Sequence, residues 1–246
     1  MLSDTFNIIR LSEINSTNEY ASALLSCNSI SGPTVIITEH QTAGRGQGQN
    51  SWQSDAGKNL LFSIVLFPEN IKAEEQFYLS KVTSLSVRDT VSEFTSGPVI
   101  KWPNDILAGR GKISGILIEN SIGEEFIKNS IAGIGININQ TEFSFPGNPT
   151  SLKLLTGNEL SPDIVFEKFL SVFEYWFNLL EEKDFSQIDR EYFKHLFGFQ
   201  KKNKFILAGK PLEAVMSEIQ KDGQMVLVME NNEKRKFGFR EIEFDI

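Results

Sequence analysis

A single cysteine, Cys27, and two histidines, His40 and His195, stand in a chain of 246 residues. One thiol excludes an intrachain disulfide and a cysteine-based metal cluster, and two imidazoles are too few for a histidine-rich metal site. Cys27 sits among Leu24, Leu25 and Ser26 and is expected to be a small buried hydrophobe. No apolar run approaches the roughly 18 residues of a membrane-spanning helix, and the N-terminus, MLSDTFNIIRL, lacks the basic start and long apolar segment of a secretory signal. No membrane partner and a cytoplasmic location are therefore expected. Basic residues are also short: 24 Lys and Arg against 32 Asp and Glu leave a net charge of −8. That excess argues against general DNA or RNA binding but leaves room for a local basic site.

What is present is ordinary for a globular chain, with 40% apolar residues and 20 phenylalanines to supply aromatic packing. Residues 6–11 read as a strand. Ser16 and Glu19 fit a capping box opening a helix to residue 25, and that turn leaves Thr17, Asn18 and several N–H groups for a polar ligand. Residues 34–39 and 59–67 read as buried strands, and 74–94 as a helix with Phe77, Val82, Leu85, Val87, Val91 and Phe94 on its apolar side. Between the two strands runs Gln41-Thr42-Ala43-Gly44-Arg45-Gly46-Gln47-Gly48-Gln49-Asn50-Ser51-Trp52. Its glycines predict a mobile loop whose N–H groups can surround an anion, with Arg45 adding a guanidinium fork. It lacks the Lys-Ser/Thr ending of a P-loop and has no GxGxxG spacing.

The densest chemistry lies in residues 99–119, VIKWPNDILAGRGKISGILIE. Lys101, Trp102, Asn104 and Asp105 precede a turn at Gly109-Arg110-Gly111, and Lys112 follows it. The pattern reads as strand, turn, strand around a site for an anionic substrate, with Gly115 leaving room for a ligand against the backbone. Residues 126–139 form a further strand in which Gly133 and Gly135 share one face, continued by Asn137, as though a flat object lay there. After a loop at 143–149, Ser161 as N-cap and Pro162 at the first helical position open a helix to about residue 182, and 188–196 is a short helix. Beyond Gly198 the pattern changes to short strands at 202–207, 212–219, 225–230, 234–239 and 241–246, which suggests a small β-barrel.

Five blocks in this order, Ser16-Thr17-Asn18, Gln41 with Ala43-Gly44-Arg45-Gly46 and Trp52, Lys101-Trp102-Pro103-Asn104-Asp105, Lys112 with Gly115-Ile116-Leu117-Ile118-Glu119, and Gly133 with Gly135-Ile136-Asn137-Ile138-Asn139, resemble biotin–protein ligases (biotin–[acetyl-CoA-carboxylase] ligases). The resemblance implies an α+β fold: a mixed β-sheet with helices of the class II synthetase-like kind over 1–198, and an SH3-like barrel over 199–246. It implies the single-function type without a DNA-binding domain, since only about five residues precede the first strand. The implied reaction joins biotin to AMP using ATP and Mg²⁺, then passes biotin to a lysine of a biotin carboxyl carrier protein.

By matched position, Ser16, Thr17, Asn18, Gln41, Arg45, Gly46, Gln47, Lys112 and Gly115 would bind biotin. Arg45, Asn50, Trp52, Lys101, Asn104 and Asn137 would bind ATP or the adenylate. Arg45, Lys101 and Lys112 would steady the reacting anions, and Asp105 would accept the incoming lysine's proton. Many members carry a second arginine where Gln47 stands, so Arg45 is here the only cation of its loop. The nearest rival is a lipoate–protein ligase, disfavoured by the Lys-Trp-Pro-Asn-Asp and Gly-Arg-Gly blocks. Members occur as monomers or as dimers paired through sheet edges, which leaves a homodimer open.

Overall fold

The computed structural model describes residues 6–144 and 147–245. Two members of the expected loop at 143–149, Phe145 and Pro146, and the end of the last expected strand, Ile246, lie outside the described residues. The first sheet contains β1 (Asn7–Ile14), β2 (Thr34–Gln41), β3 (Leu60–Leu66), β4 (Val99–Lys101), β5 (Asp105–Ala108), β6 (Gly111–Ile122) and β7 (Ile127–Ile136). Its order is β1-β2-β3-β7-β6-β5-β4, with β1 and β2 parallel and the other pairs antiparallel. This is the mixed sheet that the sequence implies.

Both faces of the sheet are covered, and so β3, LLFSIVL, is buried at every position rather than alternating. Helix α1 (Thr17–Ser26) lies on one face, over Ala21, Ile36, Val65 and Ile131. Helices α2 (Phe77–Ser92), α4 (Pro162–Glu181) and α5 (Phe185–His195) carry the large aromatic core on the other, where Phe62 meets Phe166 and Phe169 edge-on at 5.4 and 4.9 Å. Helix α1 is short and leaves the middle of its face open where Gly115, Gly133 and Gly135 stand. The cavity described below occupies that opening.

The structure departs from the sequence reading in several places. The segment 99–119 holds three strands, not two. β4 and β5 pair in the register Lys101↔Asp105, so Trp102-Pro103-Asn104 is itself a turn, and a four-residue strand is too short to show a period. Trp102–Pro103 is a cis peptide. The expected helix 74–94 divides into a 3₁₀ turn at Ala73–Glu75 and α2, which is buried almost all round. Its hydroxyls from Thr83, Ser86 and Thr90 return to carbonyls one turn back. An unforeseen helix, α3 (Leu152–Thr156), runs between N-cap Ser151 and Gly157 at φ 75°. Ser161 occupies the N-cap of α4 without a side-chain bond, and the box at Ser16 closes on one side only, Ser16 Oγ accepting the Glu19 N–H. Cys27 is exposed, not buried, because it caps α1 at its solvent end.

The C-terminal strands β8 (Lys202–Leu207), β9 (Lys210–Ile219), β10 (Met225–Met229), β11 (Lys234–Phe237) and β12 (Ile242–Phe244) form a separate antiparallel sheet in the order β11-β10-β9-β8-β12. The β8–β9 hairpin is tighter than the sequence suggests. Leu207 pairs with Lys210, and Ala208 and Gly209 both take positive φ. This sheet is compatible with an SH3-like domain.

Candidate active site

A cavity of about 280 Å³ lies against the open middle of the first sheet. Its floor is backbone. Gly115 and Gly135 are direct partners across β6 and β7, and Gly133 follows on the same face. A Cβ at Gly133 would run into the Asn18 amide. One at Gly135 would run into the Trp52 indole, and one at Gly115 would lie 2.8 Å from the same ring. The flat object over Gly115 and Gly135 is, in this state, Trp52 itself, while Asn18 lies over Gly133.

One wall is the start of α1. Thr17 and Asn18 are buried, and Asn18 Nδ2 donates to Glu119 Oε2 (2.8 Å) and the Leu117 carbonyl (3.4 Å). Those acceptors fix the amide's orientation, so Asn18 Oδ1 receives the Ser63 hydroxyl at 2.6 Å. Ser63 has one proton to give. It also lies 2.7 Å from Thr17 Oγ1, which shares that proton, while the Thr17 hydroxyl donates its own to Gln41 Oε1 at 3.1 Å. The Thr17 N–H is taken by Gln41 Oε1 at 2.8 Å, which leaves the Gln41 amide nitrogen as a donor. The N–H groups expected to be free at this turn are thus occupied at Thr17 and Glu19.

The glycine loop folds as a small hairpin: Gly46 N–H donates to the Asn50 carbonyl (2.8 Å), Trp52 N–H to the Gly44 carbonyl (2.9 Å), and Arg45 bridges Ser51. The N–H groups of Gly46, Asn50 and Trp52 serve the hairpin. Arg45 reaches Glu119, Nη2 to Oε1 at 3.0 Å, so one carboxylate holds both the guanidinium and Asn18.

On the opposite wall Lys112 Nζ lies 2.6 Å from Asp105 Oδ1 and 5.7 Å from the centre of the Trp52 ring. Asp105 faces Gly115 in register, and the Lys112 backbone is pinned on both sides by Asn148 and Thr150. Lys101 lines the cavity and has no ion-pair partner among the described residues. Asn104 lines it too, but its Nδ2 is spent on the Ile116 carbonyl at 2.8 Å.

Fourteen of the residues marked by the sequence thus border one cavity: Ser16, Thr17, Asn18, Gln41, Arg45, Gly46, Gln47, Asn50, Trp52, Lys101, Asn104, Asp105, Lys112 and Gly115. Asn137 does not. It is buried beneath the lining, where Nδ2 holds the Thr150 carbonyl at 3.0 Å and Oδ1 has no partner among the described residues. Sequence reasoning missed Ser63, Glu119 and the residues Arg240, Ile242, Glu243 and Phe244 that the second sheet contributes to the cavity mouth. Ser63 left a signal, a lone hydroxyl inside an apolar strand. Arg240 left none, being nearly two hundred residues from the loop it meets.

Among the described residues no three His, Cys, Asp or Glu side chains cluster as a metal site, and no helix is long and apolar enough to cross a membrane. Residues 11–137 match the Biotin/lipoate A/B protein ligase family. The chain is 32% identical over 187 residues to a biotin–[acetyl-CoA-carboxylase] ligase of Paracoccus denitrificans, covering 72% of this chain and 76% of that one. It is 34% identical over 167 residues to the bifunctional ligase/repressor BirA of Bacillus spizizenii, of whose length the match spans only half. A solved biotin protein ligase from Aquifex aeolicus, in complex with biotin and ATP, superposes with a TM-score of 0.77 at 27% identity over 96% of this chain and 97% of that one. The chain accordingly belongs to the biotin/lipoate A/B protein ligase family.

Proposed function

We propose that the protein is an ATP-dependent biotin–protein ligase. It activates biotin as biotinyl-5′-AMP and transfers the biotinyl group to a lysine of a biotin carboxyl carrier protein or domain. The observation that carries this reading is the convergence of Arg45, Lys101 and Lys112 on one cavity with a side-chain-free floor, in a chain whose net charge is −8. Cations gathered in an otherwise acidic protein fit a reaction between two anions.

In the first step a carboxylate oxygen of biotin attacks the α-phosphorus of ATP. The bond from that phosphorus to the bridging oxygen breaks, and pyrophosphate leaves with the electron pair. Lys112 and Arg45 steady the charge that builds on the carboxylate and α-phosphate oxygens, each leaving its resting carboxylate, Asp105 or Glu119, to do so. Thr17, Asn18 and Gln41 offer the polar wall for the ureido end. Trp52 packs beside the adenylate and keeps water from the anhydride. In the second step the carrier's amine attacks the acyl carbon and AMP departs. Asp105, relieved of Lys112, takes the proton that the amine loses.

The carboxylates at the cavity, Asp105 in its ion pair and Glu243 at the mouth, do not fit a metal held by the protein itself. Magnesium belongs to the nucleotide as substrate. The acidic charge supports a partner that is a carrier protein and not a nucleic acid, and a cytoplasmic setting supplies ATP and carrier together.

The test is mass spectrometry of a biotin carboxyl carrier domain after incubation with the protein, biotin, ATP and Mg²⁺. A gain of one biotinyl group that disappears when any component is omitted supports the reading. An unmodified carrier, or modification by lipoate in preference to biotin, overturns it.

A further inference from the structure

Arg45 is the single cation of the glycine loop and Gln47 beside it is neutral, yet the space at the loop's tip is not without charge. A Cβ built at Gly48 would fall on the guanidinium of Arg240, which therefore lies directly against the backbone at the tip of that hairpin. Arg240 borders the cavity together with Arg45, Gln47, Lys101 and Lys112.

Two further observations separate it from a passing surface charge. First, Arg45 and Lys112 rest on carboxylates, whereas Arg240 has no ion-pair or hydrogen-bond partner among the described residues. Second, Arg240 holds a left-handed backbone, φ 69°, which is costly for a residue with a side chain. The turn between β11 and β12 keeps it there: the Gly238 N–H donates to Glu241 Oε2 at 2.7 Å, and the Glu241 N–H returns to the Gly238 carbonyl. Gly48 is itself at φ 67°, so the hairpin tip presents a bare backbone on which the planar group can lie.

We propose that Arg240 is the site's second guanidinium, delivered from the C-terminal sheet to the position that Gln47 leaves without charge, and that it binds the phosphates of the nucleoside triphosphate. The inference rests on the ligase reading above and adds to it a residue from the other sheet. A planar fork of donors suits phosphate oxygens, and a guanidinium with no resting partner loses no ion pair when it takes one.

The experiment uses the full-length protein and its Arg240→Ala and Arg240→Lys variants. Affinity for a non-hydrolysable ATP analogue and for biotin alone is measured by calorimetry, and the KM for ATP in biotinyl-AMP formation by radiolabel. Expected for Arg240→Ala is an ATP-analogue affinity and KM weakened at least about tenfold, with biotin affinity within about twofold of native, the loss a bidentate charged contact implies. Arg240→Lys falls between, keeping the charge without the fork. Adding Gln47→Arg to Arg240→Ala recovers nucleotide affinity. Unchanged analogue affinity in Arg240→Ala overturns the inference, as does a parallel loss of biotin affinity, which would mean that Arg240 only props the loop. Failure of the native protein to make biotinyl-AMP would count against the ligase reading instead, because analogue binding needs no turnover.

Discussion

Adding one methyl group at Gly133 and, separately, at Gly135 should produce opposite outcomes. Both glycines lie on one face of β7, neither has a positive φ, and the strand backbone accepts alanine at either. Only what the methyl meets differs. At Gly133 it meets Asn18, which is 3% exposed and fixed by Glu119, Leu117 and Ser63, so nothing can yield without breaking those bonds. Overpacking together with the loss of a charge-assisted hydrogen bond should destabilise by about 2–3 kcal/mol. In a chain of this size that lowers the melting temperature by about 4–12 °C. At Gly135 the methyl meets the Trp52 indole, carried on a hairpin at the surface, whose ring nitrogen has no hydrogen bond to lose. The ring can swing away, and the cost to stability should stay below about 1 kcal/mol. Biotin and adenylate affinity should fall nonetheless, since the indole leaves its place over the floor. Calorimetric melting of both variants with biotin titration decides the matter. Equal melting temperatures for the two, or a larger drop for Gly135→Ala, would refute the reasoning.

Three other expectations follow from the same structure. Lys112→Ala should slow biotinyl-AMP formation by about 100-fold or more, as expected when a preorganised charge is removed from a developing anion, and Lys112→Arg should retain part of the rate; radiolabelled single-turnover assays measure it. Lys81 is 1% exposed, its ammonium 4.4 Å from the centre of the Tyr78 ring and paired with Asp189 at 2.5 Å, and burial lowers its pKa against that pairing. Asp189→Ala should cost about 3–5 kcal/mol in urea unfolding, most of it recovered by adding Lys81→Met, because the isolated buried charge is the expense and not the missing contact. Burial raises the pKa of Glu181 above its ordinary 4.5, and its Oε1 has no partner among the described residues. The folded protein therefore favours the protonated acid more than the unfolded chain does, and the stability that this gives is present below pH 4.5 and lost as pH rises through the folded value. Glu181→Gln should melt higher than native at pH 7, with the advantage fading as pH falls through the folded value and gone below 4.5.

Elements with a long period or a strong punctuation mark were legible from the chain alone. The apolar run of β3 and the Ser161-Pro162 opening of α4 needed only local chemistry, and the structure places both within a residue or two of the expected bounds. Two short elements were not legible. β5 has four residues and α3 five, which is less than the pattern either needs to declare itself. The site followed the same division. Residues clustered in sequence, such as Lys101 to Lys112, came to one cavity, because turns and strand register carry neighbours together. Pairings across the chain stayed hidden. Glu119 beneath Arg45, Ser63 beneath Asn18 and Arg240 against Gly48 are products of tertiary packing, and no local pattern announces them. Asn137 marks the converse case. Alternation put it on the face with Gly133 and Gly135, but the segment at Thr150 covers it and keeps it off the cavity wall.

The indole of Trp102 has a wider consequence. It leaves the turn that carries Lys101 and Asp105, enters the second sheet, donates its N–H to the Gly223 carbonyl at 2.9 Å and rests against Phe239. The turn that arms the chemistry is thus rooted in the other half of the molecule, and the apolar cluster runs unbroken from Phe62 through Trp102 to Phe237. The two halves ought to melt together in one step. Excising the last fifty or so residues would not trim an appendage but would pull out the peg on which Lys101 and Asp105 hang, silencing the remainder even where it stayed folded.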